Sequence, residues 1–168
     1  MLKKSLLLLL AMSLVSGVLL MLYFLYEKIS LQKSAQEKLE TIASFRLYDL
    51  DSVQFHLRPA RKTMLIYFDS ECDYCRRELD DIVHNIDAFE GLDIVLMSSE
   101  LLRSIKSYRE GYQELQSGAV CFAKINMEDA SKTLGSLIVP QILIYKENGS
   151  LSRKFIGETK VEALFEYL

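Results

Sequence analysis

The stretch "MLIYFDSECDYC", Met64 to Cys75, runs an unbroken apolar segment straight into two cysteines spaced C-x-x-C. A run as short and as apolar as Met64–Phe68 predicts a strand buried on both faces of a partly parallel sheet. Beyond the cysteines, Leu79, Ile82, Val83, Ile86 and Phe89 recur at helical spacing, which predicts a helix with one buried stripe. The cysteines therefore fall at a strand-to-helix turn.

The segments around this junction repeat the alternation. "FRLYDLDSVQFHL" alternates apolar and polar residues about Asp49–Ser52 and predicts an opening β-hairpin. "LDIVLM" (92–97) predicts a strand, "LLRSIKSYREGYQEL" (101–115) a helix that tolerates Gly111, and "AVCFAKIN" (119–126) a further strand. A short helix over 130–137 follows. "PQILIY" and "LSRKFI" then flank Asn148-Gly149, a strong hairpin signal. Thr159 and Glu162 fit a capping box, with Val161, Leu164, Phe165 and Leu168 as the buried face of a closing helix. The expected class is α/β, a mixed β-sheet flanked by helices with an N-terminal β-hairpin.

A second signal organises the N-terminus. Lys3 and Lys4 precede an uncharged stretch from Ser5 to Tyr26. A bilayer needs about 20 apolar helical residues, more than the roughly 7–15 of a signal-peptide core. A cut at Val15-Ser16-Gly17 would leave "VLLMLYFLY" exposed on the product. The reading is a single uncleaved transmembrane helix that meets the lipid bilayer through residues 5–26. Two lysines before the span and a mixed Glu27–Lys28 pair after it place the N-terminus in the cytoplasm. The rest of the chain then lies outside the cytoplasmic membrane, in the periplasm or its equivalent, where disulfides persist. The expected division is an anchor over 1–26, a helical stalk over 27–44 carrying Leu31, Ala35, Leu39 and Ile42 at helical spacing, and a globular domain over 45–168.

Three cysteines among 168 residues cannot form a disulfide scaffold, and a net charge of −3 does not suggest a nucleic-acid partner. Counted back from Leu79, both Cys72 and Cys75 lie on the buried stripe of the helix. Cys75 should be sheltered, while Cys72, with no helix before it, can reach solvent. One exposed sulfur at a helix N-terminus above a sheltered one suits dithiol exchange. A zinc half-site lacks its second Cys/His pair, because His56, His84 and Cys121 are isolated, so no metal is expected. A structural bridge closing two residues removes little unfolded-state entropy. Cys121, inside an apolar strand, is expected to be a small buried hydrophobe.

These pieces resemble the thioredoxin superfamily, in particular its membrane-anchored TlpA-like and ResA-like thiol–disulfide oxidoreductases, over about Phe45 to Leu168. The resemblance rests on the hairpin, the strand into "CDYC" and "VPQILIYKENGSLSRKFIG". It implies a thioredoxin-like fold, a cis peptide at Val139-Pro140 facing the cysteines as a substrate-binding element, and a tuning role for Glu78. A solvated helix residue is the alternative for Glu78. The chain departs from the family in having Glu71 where Trp is usual and Ile66 where many relatives carry Asp or Asn. Asp73-Tyr74 between the cysteines also lacks the common proline.

Asp69, Glu71, Asp73 and Glu78 oppose thiolate formation and Arg76 and Arg77 favour it, a balance that pushes the pair toward being a reductant. The expected activity is reduction of protein disulfides, with Cys72 as nucleophile and Cys75 as resolving thiol. The Cys72–Cys75 disulfide is the redox group, no other cofactor is required, and a membrane or periplasmic thiol serves as electron donor. Two other readings stand beside it. One is a non-catalytic binding module for a client protein or metal. The other is a peroxiredoxin-like peroxidase, which expects Thr where Asp69 stands.

Overall fold

The computed structural model describes residues 2–57, 60–112, 115 and 120–167, with side chains described for all of these except 2–11, 31–32 and 34–36. The N-terminal helix α1 (Leu2–Leu39) is continuous. Among the described residues it contains one stretch, Met12–Ser30, long and apolar enough to cross a membrane. The side chains of Leu31 and Ala35 lie outside the described residues. Leu39 is buried, and a 3-10 turn (Ile42–Ser44) follows.

Seven strands make one mixed sheet: β1 (Leu47–Tyr48), β2 (Gln54–Phe55), β3 (Thr63–Tyr67), β4 (Asp93–Ser98), β5 (Val120–Ile125), β6 (Gln141–Tyr145) and β7 (Leu151–Ile156). Their order is β2-β1-β5-β4-β3-β6-β7. β3, β4 and β5 are mutually parallel, β6 runs antiparallel to β3, and β7 turns back antiparallel to β6 and so lies parallel to the central three. The opening hairpin caps one edge through β1 and β5. Its turn is set by Asp49, whose Oδ1 accepts from the Asp51 and Val53 N–H groups.

All five residues of β3 are buried because both faces of the sheet are covered. Met64 and Ile66 join Ile94, Leu96, Phe122, Ile142 and Ile144 on one face, under α2 (Asp73–His84), α3 (Leu102–Glu110) and α5 (Val161–Phe165). Leu65 and Tyr67 join Val95, Met97, Ala123, Leu143 and Tyr145 on the other. That face is covered by α4 (Met127–Leu134) and by Leu39, Ile42 and Phe45. The period-two alternation of a strand thus distributes one apolar run between two cores.

Three local expectations are corrected. The helix from Leu101 does not continue through Gly111, which instead caps α3, and Gln113 and Glu114 lie outside the described residues. The short helix expected over 130–137 is Met127–Leu134, ended by Gly135 at φ 69°. The Asn148-Gly149 hairpin forms as expected, joining β6 to β7 through a turn longer than two residues. Gly149 N–H donates to Lys146 O and Lys146 N–H to Ser150 O, with Gly149 at φ 79°, a wider turn in which Gly takes the left-handed position. The capping box does not form: Lys160 is the N-cap of α5, and Thr159 Oγ1 donates back to Gly157 O. Val161 and Leu164 are buried as expected, but Phe165 is exposed. Ala119 and Leu168 lie outside the described residues.

Candidate active site

Cys72 is the N-cap of α2, with extended backbone (φ −85°, ψ 114°), and its Sγ accepts the Cys75 N–H at 3.4 Å. An N-cap side chain normally offers oxygen to the unpaired N–H groups of the first turn. Here sulfur takes that place, beside the free N–H groups of the first turn. Cys72 is half-buried and Cys75 is 3 % exposed, and both are free thiols. Burial pushes the Cys75 thiol up to about 12, opposed by a hydrogen bond from the Asp69 backbone and reinforced by Cys72 and the Asp69 charge. The two sulfurs are therefore unequal, one reachable and one sheltered and protonated.

The loop before Cys72 is pinned at several points. Asp69 Oδ1 accepts the Glu71 N–H at 2.9 Å, and Asp69 O accepts the Cys72 N–H at 3.2 Å. Glu100, just beyond β4, accepts from Ser70 N–H at 2.8 Å, Ser70 Oγ at 2.6 Å and Ser98 Oγ at 3.1 Å. Sequence reasoning did not find Glu100. Its only trace is the polar Ser98-Ser99-Glu100 after a buried strand.

Val139-Pro140 is cis. The register pairs Gln141 with Tyr67, so Pro140 lies beside the end of β3 that leads into the cysteine loop. The Gln141 side chain secures this segment by donating from Nε2 to Ser136 O at 2.6 Å and Ile138 O at 2.7 Å.

Glu78 is not a solvated helix residue. It is 2 % exposed, and its Oε2 accepts the Thr159 N–H at 2.6 Å. Burial raises its carboxyl to about 7, opposed by that hydrogen bond and helped by the charges of Glu158 and Asp81. Glu78 faces the segment after β7, whereas the charges acting on Cys75 are those of Cys72 and Asp69. The surrounding charges also pair with one another. Arg77 forms a two-point ion pair with Glu158 at 2.8 and 3.1 Å, and Arg76 lies 3.8 Å from Asp73. His84 bonds its own helix at Asp80 O and takes no part in the cysteine site.

Cys121 is exposed, contrary to the expectation of burial. It shares a face with Ala123 and Ile125, which α4 covers, but stands at the far end of β5, where no described element covers it. No group of three or more His, Cys, Asp or Glu side chains suited to a metal occurs among the described residues.

No family model and no curated protein matches the chain. Solved structures do. StoA from Bacillus subtilis covers 73% of this chain and 94% of its own at 18% identity, with a TM-score of 0.57. DsbF of MTB, solved in mixed oxidized and reduced forms, covers 74% and 92% at 15% identity, with a TM-score of 0.59. ScoI of Arabidopsis thaliana, solved with copper bound, covers 73% and 91% at 13% identity, with a TM-score of 0.57. The domain has the thioredoxin fold. At these identities the likeness lies in the fold, and the chemistry must be argued from the residues. Within this thioredoxin-fold domain, Cys72, Cys75 and Pro140 all belong to the end of the sheet where β3 terminates.

Proposed function

We propose that the protein is a membrane-tethered extracytoplasmic thiol–disulfide oxidoreductase of the TlpA-like/ResA-like kind that reduces protein disulfides. The observation that carries this reading is the inequality of the two sulfurs. Cys72 sits half-exposed at the N-cap of α2, and Cys75 lies buried one turn below. The Cys72 thiolate attacks one sulfur of a substrate disulfide, forming a mixed disulfide and releasing the other substrate sulfur as a thiolate. Cys75 then attacks Cys72, its proton passing to the second leaving thiolate. The substrate gains two electrons and the enzyme is left with a Cys72–Cys75 disulfide. A membrane or extracytoplasmic dithiol returns the pair to the reduced form.

The segment at Val139 and Pro140 forms the platform on which the substrate backbone lies beside Cys72. Glu78 is the tuning carboxyl, one turn beyond Cys75. The apolar helix over residues 5–26 is the single membrane span, with Lys3 and Lys4 holding the N-terminus in the cytoplasm and the domain beyond the bilayer.

Disulfide reduction by the detergent-solubilised chain tests the assignment. Cys72→Ser should abolish turnover, and Cys75→Ser should trap a mixed disulfide with substrate. Full activity in Cys72→Ser would reject it. An effect on a client that survives Ala at both cysteines would point to a binding module instead.

A further inference from the structure

Consecutive residues after β7 fasten different parts of the cysteine pole. Gly157 N–H donates to Pro140 O at 2.8 Å. The Glu158 carboxylate accepts from Arg77 Nε at 2.8 Å and from Arg77 Nη2 at 3.1 Å. Thr159 N–H donates to Glu78 Oε2 at 2.6 Å. Gly157 stands at φ 87°, a left-handed position that glycine takes without strain. The segment thus clasps the cis-proline strand to two successive residues of α2.

The middle member of this clasp leads to a further contact. The Arg77 guanidinium lies 4.6 Å from the centre of the Tyr74 ring, one turn back along α2. Tyr74 stands between the two cysteines and is 57 % exposed. The Arg77–Glu158 pair is itself half-exposed, and such pairs add little to stability. What its two-point geometry does is fix the plane of the guanidinium. A guanidinium so held over an aromatic face restrains the ring in turn. An exposed side chain that would otherwise move among its rotamers is therefore braced beside Cys72 from a segment far away in sequence.

We propose that Glu158 is a positioning residue for substrate: through Arg77 it holds the Tyr74 ring as a wall for the residue next to the substrate cysteine, so that disulfides flanked by an aromatic residue are preferred. The inference rests on the dithiol reading and deepens it by naming a substrate class. In a mixed disulfide the two Cα atoms stand about 4.4–6.8 Å apart. The substrate residue beside its cysteine is one further Cα spacing away, about 3.8 Å. Tyr74 lies two residues from Cys72 on the protein's side of that bond. An aromatic side chain on the substrate can then meet the Tyr74 ring at the roughly 4.5–7 Å between centroids that aromatic pairs adopt.

The test uses the full chain in detergent in a Cys75→Ser, Cys121→Ser background, which leaves Cys72 as its one thiol. Two peptides, identical except for Phe or Ser beside a single cysteine, are supplied as mixed disulfides with glutathione. Cys72 displaces glutathione as its thiol and forms the Cys72–peptide disulfide, so one disulfide breaks as one forms. The equilibrium constant should favour the Phe peptide about fivefold. Tyr74→Ala should abolish that preference. Glu158→Gln, and Arg77→Lys, which keeps the charge but loses the fork, should each cut it to below about twofold. No preference in the parent background, or a preference that Glu158→Gln or Tyr74→Ala leaves intact, overturns the proposal. So does an equal weakening of both peptides in Glu158→Gln, which would make the clasp purely structural. If the chain with all its cysteines reduces no disulfide, the dithiol reading falls, yet the peptide ratio at Cys72 still decides the Tyr74 contact.

Discussion

Glu78 carries a carboxyl that titrates near neutrality because its helix turns it away from water toward the Thr159 N–H. Its value in the folded chain, about 7, lies above the ordinary 4.5, so the native protein holds this proton more tightly than the unfolded one. The resulting stability is fully present below pH 4.5, declines as the pH rises, and is gone above pH 7. At 1.36 kcal/mol per pH unit, the rise from 4.5 to about 7 is worth about 3 kcal/mol. Urea unfolding should therefore show the parent chain losing stability between pH 4.5 and pH 7 relative to Glu78→Gln, which keeps an oxygen for Thr159. Parallel pH profiles for the two proteins would remove Glu78 from this account. Above pH 7, where the carboxyl is ionised, the same substitution removes a negative charge one turn from Cys75. Equilibration with glutathione should then find the pair more oxidising, by about 30 mV if the change is worth 1.4 kcal/mol.

The loop that delivers Cys72 is held from a neighbouring element, since Glu100 follows β4 while Ser70 follows β3. Hydrogen bonds to a charged acceptor are worth about 1.5–3 kcal/mol each. Glu100→Ala should lower unfolding stability by about that amount and slow the first attack by Cys72, read as the alkylation rate of Cys72 in Cys75→Ser, Cys121→Ser. An unaltered rate would confine Glu100 to a stabilising role. This contact also marks how far the sequence could be read. The apolar run, the helical stripe after it and the burial of Cys75 are local patterns, and they sufficed for the strand, the helix and the two unequal sulfurs. Glu100 on Ser70 and Glu78 on Thr159 are tertiary pairs, 30 and 81 residues apart, with no periodicity to announce them. The second of them also accounts for the missing capping box. Thr159 gives its N–H to Glu78 and its hydroxyl to Gly157, and α5 begins two residues later. Cys121 was misread because an apolar strand guarantees a covered face only as far as the covering helix reaches.

At the scale of the whole molecule, α1 joins the domain at the pole opposite the cysteines. Thr41 bridges Ser150, Ile42 N–H donates to Gly149 O, and the Tyr145 hydroxyl donates to Leu39 O at 2.8 Å. Tyr145 pairs with Thr63, the first residue of β3, whereas the cysteine loop leaves from its last. The five residues of β3 separate the two poles by roughly 17 Å at ~3.3 Å per residue. On the oxidoreductase reading proposed above, a substrate approaching Cys72 meets the end of the domain remote from that junction.

That junction also bears on shedding. A surface protease that clips between Tyr26 and Glu37 would free a domain whose second core is whole, because Leu39, Ile42 and Phe45 stay with it. A cut at Ser44 strips Leu39 and Ile42, each worth about 1.5–3 kcal/mol of burial, and leaves Tyr145 without its acceptor. Protease added to spheroplasts should release a soluble fragment beginning before Leu39, and in urea that fragment should outlast one beginning at Phe45 by about 3–6 kcal/mol. Equal stability of the two would reduce the junction to a passive leash, and full protection from the protease would put the domain on the cytoplasmic side. The residues that join α1 to the domain thus also decide whether a copy cut free of that helix could persist in solution.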